Sequence, residues 1–373
     1  MNDCFPEIKR NFGFGCMRLP MKKGNVDIGE TTAMVDYFLE NGFNYFDTAH
    51  GYLGGKSETA LRECLASRHP RESFLLANKL SHGMFKQTPE GVRSFFSMQL
   101  EACGVDYFDF YLMHAQNAGY FENFKKYRAY ETAFELKDEG KIRHVGISFH
   151  DKVEVLDRIL SEYPGIEFVQ IQFNYMDYED EGIQGRLCYE VCEKHGKPVV
   201  VMEPVKGGML SKLPPDASKP LEALGTGDSL ASYAIRYAAS FPQVMVTLSG
   251  MSNMAQMRDN LSFMKDFHPL SQAEKEAVCE VRKILESKKL IACTGCRYCT
   301  DGCPMQISIP DMFADLNAKS LYKGWNSDWY FMVHTQGRGK PSDCIECGQC
   351  EGVCPQHLPI IETLKKAAEV FEK

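Results

Sequence analysis

The sequence has neither a long apolar run nor a long basic run. A helix that spans a bilayer needs about 20 consecutive apolar residues, and no stretch of this chain approaches that length. The N-terminal segment lacks the apolar core and cleavage pattern of a secretory signal. Acidic and basic residues are mixed and the net charge is −8, whereas binding nucleic-acid phosphates requires clustered basic side chains. We therefore expect a cytoplasmic protein with no membrane or nucleic-acid partner.

Cysteine, in contrast, is abundant and unevenly placed, with 15 residues in the chain. Seven have no mutual spacing pattern, and we interpret them as small buried apolar residues. These are Cys4, Cys16, Cys64, Cys103, Cys188, Cys192 and Cys279. The other eight form two motifs of identical spacing, Cys-x2-Cys-x2-Cys-x3-Cys-Pro, near the C-terminus. They are Cys293, Cys296, Cys299 and Cys303, then Cys344, Cys347, Cys350 and Cys354. Without a secretory signal, this pattern favours a metal site over disulfides.

Short apolar runs alternate with longer amphipathic stretches between residues 12 and 263. The runs predict strands at 12–17, 44–47, 74–79, 108–114, 144–148, 168–173, 198–202 and 244–248. The stretches predict helices at 30–41, 57–66, 89–103, 124–139, 152–162, 181–195, 229–240 and 254–263. Strict alternation indicates a parallel sheet with helical crossovers, and eight units in about 250 residues match a (β/α)8 TIM barrel.

The alternative to a barrel is an open, doubly wound sheet. It fits less well, because Gly13 and Gly15 are followed by Arg18 where a dinucleotide fingerprint has its third glycine. We predict a barrel over residues 1–265, a closing helix and connector over 266–290, and a small, mainly helical metal domain over 291–373.

The active site of such a barrel lies at the carboxyl ends of its strands. Asp47 ends the second predicted strand, Tyr52 lies on the loop after it, and Lys79 and His114 end the next two strands. A nearby ammonium lowers the pKa of a phenol, and a carboxylate can keep that ammonium charged. An imidazole can position a substrate oxygen. These residue types together predict a proton donor for a carbonyl oxygen whose carbon receives hydride.

Each of these four residues also has a simpler interpretation. Asp47 can cap the following helix, Tyr52 can pack on its loop, Lys79 can be solvated, and His114 can be an ordinary core histidine. We favour the catalytic interpretation because the four residues are expected at one mouth of the barrel.

Several motifs of the barrel are typical of a known family. They are Gly13–Pro20, Phe46-Asp47-Thr48-Ala49 with Tyr52, Asn78-Lys79, Leu112-Met113-His114, Gly146-Ile147-Ser148 and Gln170–Asn174. With them the barrel resembles an aldo/keto reductase. The resemblance implies a catalytic tetrad of Asp47, Tyr52, Lys79 and His114, with Tyr52 as the acid that protonates an aldehyde or ketone. It also implies nucleotide contacts from Gly15, Met17, Ser148, Gln170, Met202, Gly207, Asn253, Asp259 and Asn260.

The nucleotide expected from this resemblance is NADH or NADPH. A bound 2′-phosphate needs compensating positive charge. After the eighth predicted strand, the only basic residue near the expected adenosine contacts is Arg258. This scarcity favours NADH.

The cysteine-rich segment resembles a bacterial-type ferredoxin with two [4Fe–4S] clusters, in which the fourth cysteine of each motif serves the other cluster. The resemblance implies one cluster on Cys293, Cys296, Cys299 and Cys354. It implies the second on Cys344, Cys347, Cys350 and Cys303. Structural zinc is the alternative, because zinc sites made of four cysteines also use Cys-x2-Cys pairs. The insert at 304–343 contains the aromatic residues Tyr322, Trp325, Trp329, Tyr330 and Phe331, and it indicates a helical variant of the ferredoxin.

We predict an oxidoreductase that uses a nicotinamide to reduce a small carbonyl substrate. Hydride transfer moves two electrons, whereas a [4Fe–4S] cluster passes one at a time, and the sequence has no flavin motif to bridge them. The clusters are therefore expected to exchange electrons with an external partner or an unseen cofactor, or to sense redox state. The alternative is an electron-transfer protein whose barrel is a binding or regulatory module without reductase activity.

Overall fold

The computed structural model describes residues 4–322 and 326–372. Trp325 of the aromatic insert lies outside these residues, and so does the side chain of Tyr322. The described chain forms two compact units. One comprises the residues up to Pro204 together with Ala231–Ser271. The other comprises Val205–Leu230 and the residues from Gln272 onward. The second unit thus includes a segment between two barrel strands, whereas the strand–helix pattern predicts that this segment belongs to the barrel domain.

The first unit is a closed barrel of eight parallel strands, which confirms the predicted (β/α)8 fold and excludes the open sheet. Its order around the barrel is β1-β10-β9-β8-β7-β6-β5-β4. The eight strands are β1 (Phe12–Gly15), β4 (Tyr45–Asp47), β5 (Leu75–Leu80), β6 (Phe108–Gln116), β7 (Ile142–Phe149), β8 (Phe168–Gln172), β9 (Val199–Met202) and β10 (Val244–Ser249). A small antiparallel hairpin, not predicted, pairs β2 (Met21–Lys22) with β3 (Asn25–Val26).

Helices connect the strands and complete both units. Those up to the end of the barrel are α1 (Ile28–Glu40), α2 (Lys56–Leu61), α3 (Pro89–Cys103), α4 (Ala118–Lys126), α5 (Ala129–Asp138), α6 (Val153–Glu162), α7 (Gly185–Lys194), α8 (Pro215–Glu222), α9 (Leu230–Ala239) and α10 (Met254–Met264). Those that follow are α11 (Gln272–Ser287), α12 (Tyr298–Asp301), α13 (Ile309–Tyr322), α14 (Asn326–Thr335), α15 (Gln349–Gly352) and α16 (Ile360–Phe371).

Backbone conformation explains where the observed elements differ from the predicted ones. The helix expected over 124–139 is two helices, because Arg128 has a φ of 54° and breaks the helical path between α4 and α5. Helix α7 begins at Gly185 rather than near residue 181, because Gln184 has a φ of 56°. Met17, expected in the first strand, lies in a 3-10 turn after β1.

The barrel strands are apolar on both faces because both faces are buried. On β6, Phe110 and Leu112 belong to the cluster that fills the barrel, whereas the Tyr111 ring packs edge-on against Phe96 of α3 at 5.0 Å. Near-continuous apolar runs are expected when helices cover a parallel sheet. Phe5 belongs to the cluster that fills the barrel, and its ring contacts Phe110 at 5.6 Å between centroids.

In the second unit, the two cysteine motifs fold alike. Gly295 and Glu346, which occupy equivalent positions, have φ values of 65° and 55°. Arg297 and Gly348, the next equivalent pair, have φ values of 66° and 75°. Each motif then forms a one-turn helix, α12 or α15. Since a non-glycine residue rarely adopts a left-handed conformation, its repetition at matching positions indicates that both loops are shaped for the same task.

Among the described residues, two rings of the aromatic insert lie in the buried core of this unit, Phe313 of α13 and Phe331 of α14. Phe331 of α14 is buried and stacks on Phe371 of α16 with 4.6 Å between ring centroids. Trp329 and Tyr330 of the same helix are exposed. The insert is helical where it is described, through α13 and α14.

The scattered cysteines divide into two groups. Five are buried, as expected, but Cys4 and Cys279 are exposed. The interpretation as buried apolar residues is therefore wrong for those two, which lie at the start of the described chain and on the outer face of α11. Within residues 4–322 and 326–372, no helix has the length and apolar character that crossing a bilayer requires.

Candidate active site and cysteine cavities

Three of the four predicted catalytic residues lie on neighbouring strands of the barrel. Asp47 is the last residue of β4, where it pairs with Gly15 of β1 and Ala77 of β5. Lys79 lies near the end of β5 beside Leu112 of β6. Because the strands are parallel and in register, their carboxyl ends bring these side chains to the same mouth.

Lys79 and Asp47 form a buried ion pair. The Lys79 Nζ donates to Asp47 Oδ1 at 2.6 Å and to the Thr48 carbonyl at 2.8 Å. Burial raises the pKa of Asp47 and lowers the pKa of Lys79, and their mutual attraction opposes both shifts. The second oxygen of Asp47, Oδ2, is buried without a hydrogen-bond partner in the described protein. Asp47 therefore binds Lys79 through one oxygen and leaves the other without a donor in the described protein.

Tyr52 lies over this pair. It begins the 3-10 turn Tyr52–Gly55 that follows β4, and the Lys79 Nζ is 5.0 Å from the centroid of its ring. The His114 ring is 6.2 Å from the same ring, in an edge-on arrangement. The structure therefore brings together all four residues of the predicted tetrad.

The expected lowering of the Tyr52 pKa is wrong for this state of the protein. Burial, and then the Asp47 carboxylate, raise the pKa of Tyr52 well above its ordinary value. The physical reason is that a phenolate here would be deprived of water beside an existing negative charge. The raised pKa means that the Tyr52 hydroxyl is protonated at neutral pH.

His114 is held by Ser81, a residue that is not among the predicted site residues. Ser81 Oγ lies 2.6 Å from His114 Nδ1. Burial, and then the Lys79 charge, hold the pKa of His114 well below its usual range, so the imidazole is neutral. A signal for Ser81 did exist, because alternate residues of a strand share a face and Ser81 is two positions after Lys79.

Two of the predicted nicotinamide contacts are buried polar residues on the next strands. Ser148 at the end of β7 accepts a hydrogen bond from the Ala115 backbone N–H at 2.7 Å. Gln170 of β8 is 2% exposed, yet its Oε1 has no hydrogen-bond partner in the described protein. A buried amide oxygen without a donor is rare and calls for an explanation.

The expected adenosine contacts lie around helix α10. Asn260 donates from Nδ2 to Ser249 Oγ of β10 at 2.8 Å, and Asn253 caps the helix by accepting from the Gln256 N–H at 2.9 Å. Asp259 lies on the same helix. Gly15 is at the end of β1, where a Cβ would lie in ordinary van der Waals contact, 3.5 Å from the Gly250 nitrogen.

Met202 and Gly207 are five positions apart in the sequence but belong to different units. Met202 ends strand β9 of the barrel. Gly207 lies in the 3-10 turn Lys206–Ser211 of the second unit, packed against the Thr294 backbone. Its nucleotide contact therefore remains a prediction, and the structure gives this glycine a neighbour within the first cysteine motif.

The eight clustered cysteines line two separate cavities. The Cys293 cavity is lined by Cys293, Cys296, Cys299 and Cys354. The Cys303 cavity is lined by Cys303, Cys344, Cys347 and Cys350. Each cavity combines three cysteines of one motif with the fourth of the other. Among the described residues, no three side chains converge as a single-ion site.

A family model described as the aldo/keto reductase family matches residues 11–283. The chain belongs to the aldo/keto reductase family. A second model, described as a 4Fe-4S dicluster domain, matches residues 292–358. This chain is therefore an oxidoreductase barrel joined to an iron–sulfur domain.

Individual relatives agree with this assignment. L-galactose dehydrogenase of Arabidopsis thaliana is 27% identical over 298 residues, covering 74% of this chain and 91% of that protein. The holo form of aldo-keto reductase AKR11C1 from Bacillus halodurans is 25% identical with a TM-score of 0.56, covering 73% of this chain and 91% of that one. An aldo-keto reductase from Klebsiella pneumoniae in complex with NADPH has a TM-score of 0.58 at 18% identity, covering 74% of this chain and 90% of that one.

The residues of this aldo/keto reductase fit the groups that its family implies. The buried Gln170 Oε1 lacks a donor, and a nicotinamide carboxamide carries N–H groups that can supply one. Four thiols around each cavity are the donor set that a [4Fe–4S] cluster requires.

Proposed function

We propose that this aldo/keto reductase reduces an aldehyde or ketone with NADH or NADPH, and that Tyr52 is the general acid. The observation that carries the proposal is the position of Tyr52 over the buried Lys79–Asp47 pair and beside His114. A reduced nicotinamide supplies the hydride when it is bound. The protein residues supply the proton and the electrostatic environment.

Tyr52 is suited to this role because its proton is firmly held at rest. As hydride reaches the carbonyl carbon, the oxygen becomes more basic than a phenolate and takes the proton from the Tyr52 hydroxyl. The phenolate left behind is stabilised by the Lys79 ammonium, which Asp47 keeps charged and in place. Lys79 therefore stabilises a negative charge that forms on Tyr52 only during the reaction.

His114 acts on the same oxygen as a neutral donor. We assign the Ser81 hydroxyl as the donor to His114 Nδ1, which leaves the ring proton on Nε2. That N–H can bind the carbonyl oxygen and orient it toward Tyr52. A charged imidazolium is not needed, and burial disfavours it.

We propose that Ser148 and Gln170 hold the nicotinamide carboxamide, and that the surroundings of α10 hold the adenosine. Gly15, Met17, Met202, Asn253, Asp259 and Asn260 complete the proposed nucleotide site. NADH is the preferred form in this proposal, since Arg258 is the only basic residue of α10. The guanidinium of Arg258 lies 5.9 Å from the Tyr37 ring centroid.

We further propose that the cysteine cavities hold two [4Fe–4S] clusters that exchange electrons with an external partner or sense redox state. Such clusters carry single electrons when bound. A reducing cytoplasm keeps the ligating thiols free and is the proposed location.

Replacing either Cys299 or Cys350 by Ser should lower the iron content from about eight to about four per chain. Cys279→Ser, on the exposed face of α11, should leave the iron content unchanged.

The reductase proposal is tested by following nicotinamide oxidation at 340 nm in anaerobically purified protein, with a panel of small aldehydes and ketones. Tyr52→Phe should lower kcat by about 10²–10⁴-fold without weakening nucleotide binding. Tyr107→Phe is the matched control, because its hydroxyl only accepts from Arg143 on the surface. Turnover unaffected by Tyr52→Phe would remove Tyr52 from its role. A barrel that binds nucleotide but reduces no carbonyl would favour a binding or regulatory module.

A further inference from the structure

The linings of the two cysteine cavities differ at several equivalent positions, and one of these is the residue after Cys-Pro. Each motif ends in Cys-Pro followed by a third residue that lines a cavity. In the Cys293 cavity this residue is Gln356, and in the Cys303 cavity it is Met305. Gln356 is only 7% exposed. One cavity thus contains a buried amide where the other contains an apolar thioether.

Lys206 fixes the orientation of this amide. Its Nζ donates to Gln356 Oε1 at 3.1 Å within the second unit. A lysine ammonium can only donate, so the amide oxygen must face it and the amide nitrogen must face away. Gln356 Nε2 is buried and has no hydrogen-bond acceptor in the described protein. Its N–H groups are therefore available to sulfur atoms held in the Cys293 cavity.

The turn that carries Lys206 is fixed by a close backbone approach. Gly207 has a φ of 65°, and a Cβ at this position would lie 2.4 Å from the Thr294 carbonyl oxygen. Only glycine permits this contact. Thr294 lies directly after Cys293, so the Lys206–Ser211 turn is held against the first cysteine motif. Lys206 itself is 3% exposed.

Charge is also distributed unequally between the two cavities. Arg297 lines the Cys293 cavity, but its guanidinium is paired with Asp311 at 2.6 Å. Among the described residues that line the Cys303 cavity, none is charged. Lys206 is buried and bonds to Gln356 at the Cys293 cavity, whereas Lys365, the lysine that acts on Cys344 of the Cys303 cavity, is exposed and paired with Glu346 at 2.8 Å.

We propose that Lys206 and Gln356 raise the reduction potential of the cluster in the Cys293 cavity above that of the cluster in the Cys303 cavity. Reduction adds one negative charge to a cluster, and hydrogen-bond donors and nearby positive charge stabilise it. A single electron entering the domain then resides at the Cys293 cavity. Lys206 is a positioning residue in this proposal, since it acts through Gln356. The inference rests on the proposed two-cluster content.

The test is an anaerobic redox titration of the full-length protein with dithionite, followed by electron paramagnetic resonance. The wild type should show two midpoint potentials. Lys206→Met and Gln356→Met should each lower only the higher one, changing the ratio of reduced to oxidised cluster at a fixed potential by about three- to tenfold. A tenfold change corresponds to about 59 mV for one electron. Gln356→Met makes the Cys293 cavity resemble the Cys303 cavity at the residue after Cys-Pro.

Lys288→Met is the charge-matched control, because Lys288 pairs with exposed Asp216 and lines neither cavity. It should move neither potential. Lys206→Arg retains the charge and should keep the wild-type potential, so it remains informative if Lys206→Met loses iron. Full iron content with one shared potential, or equal shifts at both clusters, would overturn the inference. Incomplete iron in the wild type would instead contradict the two-cluster proposal.

Discussion

Lys79 Nζ lies 2.6 Å from Asp47 Oδ1, and the two side chains are 1% and 4% exposed. Such a pair costs desolvation energy on both sides, and its attraction offsets that cost only while both partners are present. The pair lies directly below Tyr52, where the Lys79 ammonium can stabilise a developing phenolate. The same contact therefore links the stability of the barrel to the proposed chemistry.

Breaking this pair from one side should destabilise the barrel strongly. Lys79→Met leaves the Asp47 carboxylate buried and uncompensated, and we expect a loss of about 3–5 kcal/mol in the free energy of unfolding. The double variant Asp47→Asn/Lys79→Met removes both charges and should recover much of that loss while remaining inactive. Urea unfolding followed by circular dichroism measures the free energy of unfolding of the wild type, Lys79→Met and the double variant.

A surface pair provides the control for this prediction. Lys194 contacts Asp157 at 2.8 Å, with side chains 63% and 36% exposed. Lys194→Met should change the free energy of unfolding by no more than about 1 kcal/mol. If the Lys79 and Lys194 variants lose equal stability, the buried pair has no special energetic role.

The barrel and the tetrad could be predicted because both follow from local sequence patterns. Strand runs repeat in order along the chain, and Asp47, Lys79 and His114 end three successive runs. The spacing of Ser81 from Lys79 indicates a shared face, but its contact with His114 depends on how two strands pair, which the local pattern does not give. The direction of the Tyr52 pKa was also missed, since burial depends on every element around the ring and not on the neighbouring lysine alone.

The sequence pattern also could not predict which compact unit contains residues 205–230. They lie between two barrel strands, so strand–helix alternation assigns them to the barrel. Their contacts place them with the cysteine-rich unit instead. The close approach of Gly207 to Thr294 is a pairing between distant parts of the chain, and no periodicity or spacing encodes it.

The stability of the barrel should fall in acid because His114 is held neutral. Its pKa is lowered on folding, so the unfolded chain binds a proton near the ordinary pKa of about 6.5 while the folded protein does not. The stabilisation is therefore fully present above about pH 6.5 and decreases as the pH falls below it. Between about pH 6.5 and 5.5, the contribution lost should be about 1 kcal/mol.

Urea unfolding of His114→Gln at several pH values tests this prediction. The variant lacks the titrating imidazole and should lose less stability in acid than the wild type. His268→Gln, at an exposed position, should keep the wild-type pH dependence. An unchanged acid dependence in His114→Gln would show that other groups control it.

Ser81→Ala should reduce catalysis by releasing the His114 ring. Without the 2.6 Å contact at Nδ1, the imidazole can rotate and place its proton on either nitrogen. We expect kcat/KM for the carbonyl substrate to fall about tenfold, since misplacement of an orienting group impairs the reactive geometry. The affinity for nucleotide should not change.

Ser97→Ala is the matched control for Ser81, because its hydroxyl bonds only to the Arg93 carbonyl within α3. Steady-state kinetics and nucleotide titration by fluorescence should separate the two variants. Parallel losses of kcat/KM and nucleotide affinity in Ser81→Ala would indicate a general collapse of the mouth, and they would contradict a specific role in orienting His114.

Gln170→Leu should weaken nucleotide binding without destabilising the free protein. The Oε1 of Gln170 is buried without a donor in the described protein, so the free barrel already bears the cost of an unsatisfied acceptor. Removing that acceptor should leave the free energy of unfolding unchanged or higher. The nucleotide, however, loses a hydrogen bond worth about 1 kcal/mol, and its Kd should rise about fivefold.

This combination of effects distinguishes a ligand-binding glutamine from a structural one. A glutamine that served the fold would lose stability on substitution, whether or not nucleotide were present. Thermal unfolding with and without nucleotide measures both quantities in one experiment, and the shift on nucleotide addition should shrink only in Gln170→Leu. Gln87→Leu, whose Oε1 accepts from the Tyr127 hydroxyl at 2.7 Å, should keep the full shift. A large loss of stability in free Gln170→Leu, with an undiminished nucleotide shift, would assign Gln170 to the fold and leave the carboxamide to other residues.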